Sequence, residues 1–469
     1  MQQLPYQLSE QLTEQLEQAV NEFRKLDDSP IRIITHLDAD GLSSAAILAK
    51  AFQGEKKKFA ISAVKQLDEN KIREFARENY KTIFFIDLGS GYLNLIEETL
   101  SKKKIFILDH HIPDKKSARE DIIHINPHLF ESKEDALNLS GSGVVYLFAK
   151  KLNSKNKALA HISLIGTIGD LHDLKGPTQE IIDDSVASGE IEITTGLRMF
   201  GTQTKPIINI LRYSTDPYIP GVTGSEQGTL AFLKEVGIES QKNGKPIRII
   251  DLEEEQKKKL VTGIILKRMG SEKDPEDILG TIYLLKKEPE GSPTKDIKEF
   301  ATLLNACGRL EKASIGIATC MGSETAKSKA LQVLQDYKQE LISTMNWFHQ
   351  NKENPISVME RGGLVLINAE DKIKDTMIGT LASILANSNI YPESTILISM
   401  AQTIDEKTKI SIRIVNGKNS KKKDVREIIG SILKKIGEGI SGGHSSASGA
   451  LIPQEKEKAF ISAALEMFK

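Results

Sequence analysis

Two cysteines, Cys307 and Cys320, are all that a chain of 469 residues contains. No disulfide framework is implied, a reducing cytoplasm is the expected location, and the pair reads as small buried hydrophobes rather than metal ligands. Aromatic residues make up only 5%, and Trp347 sits in a structural-looking helix, so extended base-stacking platforms are not expected. The formal net charge of −1 excludes a whole-molecule basic field. A polyanionic partner would therefore be held by local patches or by metal. No run of about 20 apolar residues occurs, so no membrane span is expected. The N-terminal "QLSEQLTEQLEQAVNEF" places Leu8, Leu12, Leu16, Val20 and Phe23 at helical spacing. That pattern is an amphipathic helix, not a basic-then-apolar signal peptide.

What is present is the composition of a soluble globular protein, 39% hydrophobic and 27% charged, in a chain long enough for two or three domains. From 31 to 170, strand-like runs alternate with helix-like stretches: "IRIIT" (31–35), "FAISAV" (59–64), "TIFFID" (82–87), "KIFIL" (104–108) and "DIIHI" (121–125). Near-continuous apolar strands separated by helices predict a mostly parallel, doubly wound sheet, whose ligands bind at the strands' carboxyl ends. Residues 212–295 are turn-rich, and 296–350 read as helices. After 362 a second alternation, with "GGLVLIN", "STILISMA", "KISIRIV" and a glycine-rich loop, predicts a smaller mixed α/β domain.

Acidic and histidine residues gather where apolar runs end. "THLDADG" carries His36, Asp38 and Asp40; "FIDLGSG" carries Asp87; "ILDHHIPD" carries Asp109, His110 and His111. "LIGTIGDLHD", following a run that fits helix or strand, carries Asp170, His172 and Asp173. Each alone reads as a cap or turn residue, and His172 as a surface histidine. In a doubly wound sheet these segments converge, and carboxylates so crowded repel unless cations neutralise them. Aspartates with imidazole suit a pair of Mn²⁺ or Mg²⁺ ions, a set that supports phosphoester hydrolysis.

"LDADG", "FIDLG", "LDHH" and "IGTIGD" resemble motifs I to IV of the DHH phosphoesterases, and "SGGHSSASGALI" (441–452) resembles the glycine-rich motif of the associated DHHA1 domain. The resemblance covers nearly the whole chain. It implies a DHH catalytic domain at 1–215, a helical and turn-rich middle and linker region at 216–355, and a DHHA1 substrate-binding domain at 356–469. It further implies that Asp38 and Asp87 bind one ion, and that Asp40, Asp87, His110 and Asp170 bind the other. The ions would be divalent, Mn²⁺ preferred and Mg²⁺ the alternate. His111 would meet the scissile phosphate, and Asp109 would orient a histidine. Many members carry a histidine ligand at the position of Ile34; here His36 is the expected substitute.

In the second half, "KISIRI" (409–414) is similar to the strand whose arginine, here Arg413, faces substrate. Gly442 and Gly443 would let backbone N–H groups approach an anion closely, with His444 as a further donor. The run Lys421–Lys423 extends this cradle, and Asn305 and Arg309 of "LLNACGRL" are further candidates for substrate contact. The whole pattern most resembles archaeal RecJ-like proteins of the GINS-associated nuclease type, related to Cdc45. It implies a metal-dependent exonuclease acting on single-stranded DNA or RNA in replication or repair, with the GINS complex as a protein partner. Two other readings stand beside it: a small-substrate phosphodiesterase or oligoribonuclease, and a Cdc45-like scaffold. The intact motif residues favour activity.

Overall fold

The apolar run that ends at His36 becomes β1 (Ile31–His36), the strand around which the N-terminal sheet is organised. In this computed structural model, residues 8–468 are described apart from 114–118, 131, 171, 173, 215–216, 272–273, 389, 416–423 and 445. They fall into two units, Met1–Leu334 and Gln335–Lys469.

In the first unit, β1 is followed by β2 (Phe59–Val64), β3 (Thr82–Ile86), β4 (Lys104–Leu108) and β5 (Ile122–Ile125) in a five-stranded sheet of order β2-β1-β3-β4-β5. Every neighbouring pair is parallel. The side chains alternate between two cores: Ile33, Phe84, Ile86 and Phe106 face one, and Ile34, Ile83, Phe85 and Ile105 the other. The first face is covered by α1 (Glu10–Arg24), whose Leu12, Leu16, Val20 and Phe23 are buried as their spacing predicts, and by α2 (Ala39–Gly54). The second is covered by α3 (Glu69–Arg77) and α4 (Leu93–Thr99). With β1 second in the order, flanked by β2 and β3, the winding reverses between β1 and β3, and the crevice at that switch point is where such sheets bind ligands.

The short α5 (Lys133–Asn138), then α6 (Gly141–Leu152), α7 (Ala160–Gly169) and α8 (Pro177–Ala187) continue the chain. An antiparallel ribbon of β6 (Ile191–Leu197) and a later strand brackets a small separate core built on Ile207, Ile210, Phe232, Leu260 and Ile264. That core draws on α9 (Ile207–Arg212), α10 (Glu226–Glu235) and α11 (Glu254–Arg268), and a two-residue hairpin pair, β7 (Gln241–Lys242) and β8 (Lys245–Pro246), precedes the ribbon's second strand, β9 (Leu279–Leu285). Next, α12 (Ile297–Arg309) and α13 (Ala313–Cys320) return to the main core, where both cysteines are buried. The long α14 (Glu324–Asn351) carries the chain into the second unit.

That unit is a mixed six-stranded sheet of order β10-β11-β12-β13-β15-β14. Its strands are β10 (Val358–Arg361), β11 (Leu364–Asn368), β12 (Ile396–Gln402), β13 (Lys407–Ile414), β14 (Ile440–His444) and β15 (Ala447–Pro453). α15 (Asp375–Ala386), α16 (Val425–Ile436) and α17 (Glu457–Met467) cover it. One expectation is corrected here. The glycine-rich stretch read as a loop is the exposed edge strand β14, paired antiparallel with β15 from Ile440 opposite Leu451 to His444 opposite Ala447. An edge strand needs no buried side chains, so glycines there lack the apolar alternation that marks a strand in sequence.

Candidate metal centre

At the end of β1 the chain turns directly into α2, and the turn is built from charged side chains. Asp38 is the N-cap, its Oδ1 accepting the Gly41 N–H at 3.0 Å. Its Oδ2 lies 2.8 Å from His36 Nδ1. Asp40 follows in the first helical turn, where negative charge is favoured by the helix dipole. Its Oδ1 accepts the Ser142 N–H, from the first turn of α6, at 3.0 Å. Its Oδ2 is buried with no hydrogen-bond partner among the described residues. Between the two aspartates, the Ala39 N–H donates to Asn305 Oδ1 of α12 at 3.0 Å. A Cβ at Gly308, one turn further along α12, would stand 1.7 Å from the Leu37 carbonyl oxygen, so only glycine lets that helix press on the loop.

Asp87 follows β3 with φ of +57°, a region costly for a residue with a Cβ. It is 2% exposed, and neither carboxylate oxygen has a hydrogen-bond partner among the described residues. A Cβ at Gly141 would come within 2.5 Å of Asp87 Oδ1, so the start of α6 closes over it. His110 Nε2 reaches into the same space, 3.3 Å from Asp87 Oδ1, 3.6 Å from Asp170 Oδ2 and 3.8 Å from Asp40 Oδ2.

Asp109 turns the other way, into the protein. Its Oδ1 accepts the N–H groups of His110 and His111 at 2.8 and 3.2 Å and the His111 ring Nδ1–H at 2.7 Å. Its Oδ2 accepts the Ser90 N–H at 2.9 Å. Asn126, fully buried, donates to Ser90 Oγ at 2.8 Å and to the His111 carbonyl at 2.7 Å. The first residue of the Asp-His-His run is thus a clamp on the two that follow it.

The fourth cluster stands at a helix end rather than a strand end, because its apolar run is α7 and Asp170 is its C-cap. A carboxylate there opposes the helix dipole and needs compensating positive charge. His172, read from the sequence as a surface histidine, supplies some of it. Its side chain is only 15% exposed and its Nε2 lies 2.9 Å from Asp170 Oδ2. Asp173 lies outside the described residues.

This crowding sets the electrostatics. Burial, with Asp170 close by, pushes Asp40 up to about 6. Burial and the neighbouring Asp40 drive Asp87 well above the ordinary aspartate range. Burial, with His111 adding repulsion, brings His110 down to about 3, leaving a neutral imidazole at physiological pH. Burial works against the charge on His111, but Asp109 overrides it and lifts the ring to about 9. Burial likewise opposes ionisation of Asp38, yet the neighbouring His36 holds it below its usual range.

Among the described residues, three groups bring ligand atoms within 4.8 Å of one another: His36, Asp38 and Asp87; Asp87, His110 and His111; and His110, Asp170 and His172. Unpartnered buried carboxylate oxygens beside a neutral imidazole fit a hard divalent cation, which would supply the interactions the protein withholds. Ile34, at the position where many family members carry a histidine, is fully buried in the α3/α4 core. His36 stands two residues further along the same face of β1 and touches Asp38.

Of the residues assigned to substrate, Asn305 is engaged in holding Ala39, and Arg309 ends the same helix. Arg413, on β13, donates to Ser383 Oγ at 3.2 Å and to the carbonyls of Ile412 and Ser448 at 2.8 and 3.2 Å. Gly442 and Gly443 lie on exposed β14; the His444 side chain and Lys421–Lys423 lie outside the described residues. Sequence reasoning missed Ser142, Gly141, Ser90 and Asn126. The small-residue run "SGSG" at 140–143 was the one available signal, marking a helix start open to close approach.

Comparison with known proteins gives three matching families. The DHH family N-terminal domain matches residues 30–167, the DHH-CID domain 199–280 and the DHHA1 domain 362–469. An uncharacterised protein of Methanocaldococcus jannaschii is 30% identical over 450 residues, covering 92% of this chain and 91% of its own. Among solved structures, Cdc45 from Entamoeba histolytica aligns with TM-score 0.64 at 13% identity, covering 97% of this chain and 99% of its own. Exonuclease RecJ bound to manganese aligns with TM-score 0.55 at 16% identity, covering 100% and 96%. RecJ from Thermus thermophilus in complex with Mn²⁺ aligns with TM-score 0.57 at 14% identity, covering 99% of this chain and 55% of its own, so this chain spans about half of that one.

Proposed function

Because the chain belongs to the DHH family of phosphoesterases and is a hydrolase of phosphodiester bonds, we propose that it is a metal-dependent exonuclease acting on single-stranded DNA or RNA. The observation that carries this reading is the set of orphaned carboxylate oxygens of Asp87 and Asp40 facing neutral His110 at the sheet's switch point. Two divalent cations are the proposed complement. His36, Asp38 and Asp87 would hold one; Asp40, Asp87, His110 and Asp170 would hold the other. When bound, such ions activate water and neutralise charge on the phosphoryl group undergoing in-line displacement.

The remaining work falls to the protein's own groups. His111, kept protonated through neutral pH by Asp109, is the donor to the departing oxygen. Asp109 fixes the ring so that Nδ1 points inward and Nε2 outward. Asn305 keeps the two motif I carboxylates spaced by holding the amide between them. Arg309, Arg413, Gly442, Gly443 and His444 are the proposed contacts to the phosphate backbone, which would position a strand without reading its sequence.

The test is incubation of end-labelled single-stranded DNA and RNA with Mn²⁺ or Mg²⁺, comparing wild type with Asp87→Ala. Progressive shortening from one end, reduced at least a hundredfold in the variant, is expected. Rapid cleavage of dinucleotides with a 30-mer left intact would replace this reading with the oligoribonuclease one. The Cdc45 likeness supports a second role, as a replication subunit that binds GINS. Pull-down of GINS by protein that leaves single strands uncut under Mn²⁺ would favour that scaffold over the enzyme.

A further inference from the structure

His172 belongs to none of the ligand sets proposed above, yet it is held as a ligand is held. Its Nδ1 lies 3.1 Å from the backbone carbonyl of Leu137, in α5. A carbonyl can only accept, so Nδ1 carries a proton and Nε2 is the atom that faces Asp170, where a bound cation would take the place of the Nε2 proton. Metal-binding histidines characteristically use the second ring nitrogen in this way, which fixes ring orientation and tautomer. Nε2 meets Asp170 Oδ2 at 2.9 Å, and the ring centroid stands 5.1 Å from that of His110. Independently of this contact, Asp40 Oδ2 is buried, unpartnered and 3.8 Å from His110 Nε2.

We propose that His172 is an additional ligand of the cation held by Asp40, His110 and Asp170, and that its second imidazole biases this position toward Mn²⁺ and Co²⁺ and away from Mg²⁺. The inference rests on the metal-dependent reading above and goes beyond it in naming a further ligand and tying the metal preference of one position to it. Its physical basis is ligand softness: carboxylates alone suit Mg²⁺, whereas each imidazole favours later transition metals. The competing role is purely positional, with His172 an ion-pair partner that orients Asp170. The two roles differ in selectivity. Misorienting Asp170 weakens every divalent cation alike, while removing a nitrogen donor penalises Mn²⁺ and spares Mg²⁺.

The experiment uses full-length, metal-stripped protein: wild type, His172→Ala, His172→Asn, and Asp87→Ala as a control for loss of the centre. Mn²⁺ and Mg²⁺ affinities are measured separately by calorimetry, and nitrogen couplings of bound Mn²⁺ by pulsed paramagnetic resonance. Melting without metal verifies that each variant is folded. In both His172 variants, Mn²⁺ affinity is expected to fall about tenfold or more, one nitrogen coupling to vanish, and Mg²⁺ affinity to change much less. Unchanged Mn²⁺ affinity, or equal losses for both ions with every nitrogen coupling intact, overturns the proposal. Folded wild type that takes up neither ion overturns the metal-dependent reading itself, and this inference with it.

Discussion

Asp87 combines three costs in one residue: burial, a left-handed backbone and two unsatisfied oxygens. An acid whose pKa is higher folded than unfolded destabilises the fold once the pH passes its unfolded value. Asp87→Asn removes that charge, and asparagine tolerates left-handed backbone. The metal-free variant should therefore melt several degrees above wild type at pH 8, on the order of 2 to 4 °C per kcal/mol for a unit of this size. The advantage should shrink as the pH falls toward about 4, where the wild-type carboxyl is also neutral; melting curves across that range check both sign and window. Added Mn²⁺ should reverse the order, because only wild type can bind it: stabilisation of roughly 3 kcal/mol is expected at a hundredfold excess over Kd. That increment should decline below about pH 6, where protons compete for Asp40. At this scale the sequence was most informative. Asp38, Asp40, Asp87 and His110 were legible because several carboxylates converging at the ends of buried strands repel one another unless a cation joins them. His172, by contrast, sits after a helix end that its short apolar run could not distinguish from a strand.

At the level of elements, the centre is shaped by helices that carry none of the four motifs. α12 holds the motif I loop through Asn305 and Gly308, and α6 closes on Asp40 and Asp87 through Ser142 and Gly141. Asn305→Ala should cost about 1 kcal/mol of stability, as loss of a helix cap does, and should lower the rate of cleavage with little change in substrate affinity; denaturant melts and steady-state kinetics separate the two. Gly141→Ala drives a methyl into Asp87 and should weaken metal binding about tenfold or more while the fold survives, measured by titration with Mn²⁺. These supports were not legible in the sequence for a physical reason. Asn305 acts on a residue 266 positions earlier, and no local pattern encodes a partner that only tertiary packing supplies. The edge strand β14 was hidden differently, since its glycines carry a turn signal that antiparallel pairing with β15 overrides.

On the scale of the whole molecule, the two units have separate apolar cores, the second built on Leu366, Ile398, Ile412, Ile429 and Phe460. Residues 335–469 expressed alone should therefore fold cooperatively, shown by a single sharp melting transition. Residues 1–334 should retain the Mn²⁺-dependent rise in melting temperature while losing most cleavage of long strands. The parallel sheet was readable at this scale because its five apolar runs repeat with helices between them. The small core between β6 and β9 was not, because turn-rich sequence masks the few residues that pack there.

The crevice draws its donors from the ends of β1, β3, β4 and α7, segments distant in sequence that meet only when the parallel sheet is in register. Pairing of this kind is a late event in folding, since loop closure must precede any reward. A cation thus has nothing to grip until the chain is nearly native. It should act as a latch on the finished molecule, slowing unfolding and leaving the rate of folding untouched.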